Sequence, residues 1–102
     1  MKSDYKVAWT DHALEELRRT FQYLELNFTD TEIDNLANKI ESVLSYISTY
    51  PELYPESSIR VGVRRAVVTK FNSLFYHVNI ERNQMEVLSF FLNRDNPEKL
   101  NL

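Results

Sequence analysis

Cysteine is absent from the 102 residues. That excludes disulfides, thiol nucleophiles and thiolate metal sites. Glycine occurs once, at Gly62, so neither a G-x-G-x-x-G dinucleotide loop nor a phosphate-cradling P-loop can form. The same scarcity leaves no G-x-S-x-G nucleophile elbow. Only two histidines are present, His12 and His77, far apart and without ligand spacing. No metal site and no cofactor are expected. No apolar run approaches the roughly 20 residues needed to span a bilayer. The first residues, Met1-Lys2-Ser3-Asp4-Tyr5-Lys6, lack the apolar segment of a secretory signal. A cytoplasmic protein with no membrane partner is expected.

What is present fits one domain over residues 1–102. A hydrophobic fraction of 43% supports a small core, and 26% charged residues is ordinary for a globular chain. The net charge of −3 hides an asymmetry. Residues 1–58 carry five Lys/Arg against eleven Asp/Glu, a balance of −6, and residues 59–102 carry seven against four, a balance of +3. A uniformly basic nucleic-acid binder is disfavoured, while a local basic surface on the C-terminal half remains open.

Tyr5, Val7 and Trp9 alternate with Lys6 and Ala8, which predicts a short strand. Thr10 or Asp11 then supplies a helix N-cap. Leu14, Leu17, Phe21, Leu24 and Phe28 fall at spacings of three and four, forming one apolar stripe. After a polar break from Asn27 to Thr31, Ile33, Leu36, Ala37, Ile40, Val43, Leu44 and Ile47 hold a helical period until Pro51 stops it. From Ile59 the pattern changes to strands. Ile59, Val61 and Val63 alternate with polar residues, and Arg65 to Thr69 continues with β-formers. Leu74 to Ile80 and Met85 to Leu92 follow, separated by the turn Glu81-Arg82-Asn83-Gln84. Short gaps predict antiparallel hairpins. The tail Asn93 to Leu100 is polar and is expected to end in a helical turn. The fold class is α+β, in the order β-α-α-β-β-β. The helical hairpin should pack on one face of a small antiparallel sheet.

This order, with four local motifs, resembles the RelE/ParE toxin superfamily, which includes plasmid stabilisation proteins. Ala13-Leu14-Glu15-Glu16-Leu17 followed by Phe21 and Tyr23 matches its first helix. Tyr50-Pro51-Glu52-Leu53 is similar to its Phe/Tyr-Pro-x-Leu. Val63-Arg64-Arg65-Ala66-Val67-Val68 with Leu74-Phe75-Tyr76-His77-Val78 resembles its Leu-Arg-Arg-x-x-Val and Ile-x-Tyr-x-Val. Val87 to Asp95 covers its last strand, and the match spans about residues 5–98.

The resemblance implies a growth-inhibiting toxin of a type II toxin–antitoxin system, neutralised by a cognate antitoxin and often held with it in a hetero-oligomer. RelE-like members cut mRNA on the ribosome, ParE-like members poison DNA gyrase, and some relatives are interaction modules with no established target. Metal-free RNA cleavage needs groups that move protons and stabilise phosphorane charge. Arg64, Lys70, His77 and Arg94 are the residues that would do this here. Departures weaken that reading. Ser73 and Ala66 stand where RelE-like enzymes favour basic residues, and Leu92 where a histidine is frequent. Losing one such group commonly costs about 10²–10³ in rate. The ParE-like branch fits better, because it needs a binding surface and no catalytic set. The residues expected to contact the target or antitoxin are Arg64, Arg65, Tyr76, Phe90, Phe91 and Arg94. Arg64 and Arg65 should face opposite sides of the sheet, as should Tyr76 and His77, and Phe90 and Phe91. Trp9, Phe71 and Phe75 are expected in the core or a groove. An exposed second ring of the Phe90–Phe91 pair would anchor an antitoxin helix or strand, which would fold as it binds.

Overall fold

The computed structural model describes residues 4–58 and 60–94. The elements run β1 (Lys6–Trp9), α1 (Asp11–Asn27), α2 (Asp30–Thr49), β2 (Arg64–Val67), β3 (Asn72–Asn79) and β4 (Gln84–Leu92).

Both helices start where side-chain oxygens satisfy free N–H groups. Thr10 Oγ1 accepts from Ala13 N at 3.1 Å. At α2, Thr29 Oγ1 accepts from Glu32 N at 3.4 Å and Glu32 Oε1 accepts from Thr29 N at 3.3 Å, a reciprocal capping box. Thr29→Ala should lower unfolding free energy by about 1 kcal/mol, read by denaturant titration. Only Phe28 and Thr29 separate the helices, so they fold back as a hairpin.

The sheet order is β1-β4-β3-β2. β2–β3 and β3–β4 are antiparallel, as the short gaps predict. β1 instead lies parallel to β4, with Lys6 opposite Gln84 and Trp9 opposite Val87. The sheet is therefore mixed, which corrects the expectation of a purely antiparallel one. Gap lengths speak only to neighbours in sequence, and β1 reaches its partner across both helices.

One face of the sheet carries the main core. Leu74, Tyr76, Met85, Val87 and Phe90 meet Ala13, Leu36, Ile40 and Ile47 of the helices, with Leu17, Phe21 and Leu24 packed around them. The α1 stripe sits slightly rotated from its predicted position. Ala13 is buried, while Leu14 and Phe28 are 47% and 43% exposed.

A second, smaller cluster occupies the other face, where Val63, Phe75 and Phe91 are buried beside Leu88. Val63 does not belong to the strand predicted from Ile59. Gly62 takes φ +83°, and Val63 N closes a turn onto Arg60 O at 3.2 Å. The alternation of Val61 and Val63 is thus a turn that leaves Val61 92% exposed and buries Val63. Ile59 lies outside the described residues, as does the predicted helical turn beyond Arg94. Among the described residues, no helix is long and apolar enough to cross a membrane.

Candidate functional site

Residues 51–63 link the hairpin to the sheet, and several of the expected site residues are spent on holding them. Tyr76 is fully buried, and its hydroxyl donates to Pro51 O at 2.6 Å. Burial pushes its phenol up to about 12, against a smaller opposing pull from the Arg64 guanidinium. Tyr76 is therefore not at a surface, contrary to its expected place in a partner contact. Its ring packs under the helices because it shares a face with Leu74, and a large ring there joins the core.

Arg64 sits opposite Tyr76 on β2, and its Nη1 donates to Tyr54 O at 2.6 Å. The backbones of Glu56 and Arg64 also pair as an isolated antiparallel β-bridge. Arg65, opposite Phe75, points to the other face, as strand alternation predicts. Its guanidinium lies 5.2 Å from the Phe91 ring centroid, and Nη2 donates to Asn93 Oδ1 at 3.2 Å. Phe91 stacks on Phe75 with centroids 4.7 Å apart and is only 4% exposed. An exposed Phe91 anchor is therefore ruled out. Alternation placed the ring on the second face, but Arg65, Phe75 and Val63 cover it. Phe90 is buried in the main core. A depression of about 360 Å³ remains on the second face, lined by Tyr54, Pro55, Ser57, Arg65, Val67 and Phe75.

The four residues that RNA cleavage would use do not converge. Arg64 shares a face with Tyr76, whereas His77 lies on the other, 2.7 Å from Glu86 Oε1 through Nε2. Lys70 is in the β2–β3 turn, and Arg94 lies just beyond β4. β4 ends opposite Asn72, at that same end of the sheet. Five residue steps along β3 take Asn72 to His77, about 16 Å at 3.3 Å per residue. The four residues thus divide between two ends and two faces. Among the described residues, no group of three or more His, Asp or Glu is placed to hold a metal ion.

Two structural residues escaped sequence reasoning. Glu16 Oε1 accepts from Ser89 Oγ at 2.8 Å and Phe90 N at 3.1 Å, tying α1 to β4. Asn93 joins the end of β4 to the β2–β3 turn. Its Nδ2 donates to Thr69 O at 3.1 Å and Lys70 O at 2.9 Å, and Ser73 Oγ donates to its Oδ1. Phe71, expected in the core or a groove, is 63% exposed on that turn. Glu16 lay in the quoted first-helix motif, which was a usable signal; Asn93 gave none beyond its position after a strand.

No family model matches the sequence, and no curated protein matches it. Solved structures do. The toxin–antitoxin complex RelBE2 of Mycobacterium tuberculosis is similar over 93% of this chain and 98% of that one, with TM-score 0.63 and 20% identity. The chromosomal ParDE toxin–antitoxin system of P. aeruginosa matches over 86% and 95%, with TM-score 0.69 and 13% identity. The isolated E. coli RelE toxin matches over 91% and 88%, with TM-score 0.56 and 19% identity. The chain has the α+β fold shared by these RelE/ParE structures.

Proposed function

We propose that this chain is the toxin of a type II toxin–antitoxin pair, neutralised by a cognate antitoxin and acting by binding an essential protein, with DNA gyrase as the expected target. The fold likeness spans nearly the whole of both chains in two structures named as toxin–antitoxin assemblies, which supports an antitoxin partner and a toxin role. The observation that carries the choice of target is the dispersal of Arg64, Lys70, His77 and Arg94 over both faces and ends of the sheet. Phosphoryl chemistry needs its acid, base and charge-stabilising groups within reach of one phosphate. Protein binding needs no such convergence.

Induced expression in a bacterial host tests this directly. Growth should stop, transcripts should stay intact, and double-strand breaks with an SOS response should appear. Co-expression with the product of the neighbouring reading frame should restore growth. Cleaved transcripts that vanish in Arg64→Ala and Arg94→Ala would favour the ribosome-dependent nuclease instead. Harmless expression would leave an interaction module and sink both toxin readings.

A further inference from the structure

The β2–β3 turn combines rigid backbone with an exposed aromatic side chain. Thr69 Oγ1 accepts from Phe71 N at 3.0 Å and Asn72 N at 3.1 Å. Asn93 N donates to Phe71 O at 2.8 Å, and the Asn93 amide fixes the carbonyls of Thr69 and Lys70. All this ordering leaves Phe71 63% exposed, while Val67 and Leu92 on the adjoining strands face opposite sides of the sheet. The fold gains little from such a ring. An aromatic ring carried on a pre-ordered backbone is what an interface anchor requires, because part of its entropy cost is met before binding.

Among the described residues, the charged side chains next to it are basic. Lys70 Nζ lies 5.0 Å from the Phe71 ring centroid, and Arg94 follows Asn93. Among the described residues, no carboxylate forms an ion pair with Lys70 or Arg94. The acidic residues of the described strands and their connecting turns, Glu81 and Glu86, belong to the opposite end, where β3 turns into β4.

Resting on the toxin reading above, we infer that this turn is the surface that docks the target: Phe71 enters an apolar pocket on a protein face whose rim carries carboxylates for Lys70 and Arg94. Charge complementarity selects an acidic face and repels a basic one. The acidic helical hairpin, by the same rule, is not the surface that meets this target.

The test is the doubly substituted chain, Phe71→Ser with Lys70→Glu, expressed beside the unaltered protein and an Ile80→Ser control. Ile80 is equally free of the core at 79% exposure, but lies at the other end of the sheet. The expression level needed for growth arrest should rise on the order of 30-fold, the factor for losing one interface anchor. Melting temperature and binding of the neighbouring frame's product should be unchanged, and Ile80→Ser should arrest growth normally. Undiminished arrest by the double variant would overturn the inference while leaving the toxin reading intact. Lost antitoxin binding would also overturn it, by giving the surface to the antitoxin. If the unaltered protein does not arrest growth, the toxin reading falls and takes this inference with it.

Discussion

Tyr76→Ala should lower unfolding free energy by about 3–5 kcal/mol, the range for deleting a large buried ring. A domain of this size holds about 5–15 kcal/mol in total, so this one loss removes a large share of it. The milder Tyr76→Phe keeps the ring and removes the donor to Pro51 O. Leaving that carbonyl without its partner should cost about 1–3 kcal/mol. The two variants differ in their pH dependence. In the folded chain the phenol keeps its proton to about 12, and in the unfolded chain to 10.0. Its folded value is raised, so its contribution is complete below pH 10 and is lost as pH climbs toward 12. Guanidinium titrations at pH 8 and pH 11 should therefore show the gap between Tyr76→Phe and the unaltered protein closing at the higher pH. A constant gap would mean that the hydroxyl is wetter than the structure has it.

That hydroxyl also explains why two separated motifs occur together. Tyr50-Pro51-Glu52-Leu53 supplies the carbonyl, and Leu74-Phe75-Tyr76-His77-Val78 supplies the phenol that reaches it. Arg64, from the first segment of the motif that holds Tyr76, fastens Tyr54 of the same connector. These residues fasten the hairpin to the sheet. They mark the fold, and so a resemblance built on them carries the architecture further than it carries the target.

Local physical rules made most of the elements legible. Periodicity and the stop at Pro51 located α2, and Thr10, one of the two caps expected there, caps α1. Alternation separated Arg64 from Arg65 and Tyr76 from His77 correctly. What stayed hidden depends on distant chain. The parallel β1–β4 ladder joins residues some 78 positions apart, and no local window contains that pairing. Phe91 is on the predicted face, but its covering comes from Val63 and Arg65, set by the turn at Gly62. Phe71 misled for the opposite reason. Its apolar side chain suggested burial, but Asn93 and Thr69 hold its backbone in a turn at the rim. The proposed docking surface therefore appears only once β4 has been laid beside that turn.

Glu16→Ala should destabilise the protein by about 3 kcal/mol, and Glu16→Gln by much less. β1 ends at Trp9 opposite Val87, so β4 runs on past its parallel partner. Phe90 N then has no strand carbonyl on that side, and Glu16 Oε1 supplies the acceptor from α1. The same oxygen accepts from Ser89 Oγ and lies 3.1 Å from His12 Nε2. Hydrogen bonds to a charged group contribute about 1.5–3 kcal/mol, and alanine strands a backbone donor in a buried strand. Glutamine keeps an oxygen in place and removes only the charge. If it acts as a stand-in for a missing strand, the glutamine variant should keep most of the stability in denaturant titrations. A double-mutant cycle with Ser89→Ala should then show coupling on the order of 1 kcal/mol. Equal losses for alanine and glutamine would instead make charge, not acceptor geometry, the basis of the contact. Its acceptor oxygen is committed to β4 and its side chain is only 19% exposed, so Glu16 is poorly placed to serve a partner. The glutamine variant should accordingly keep whatever growth arrest the unaltered chain produces, separating a residue that holds this sheet together from those proposed to meet the target at the β2–β3 turn.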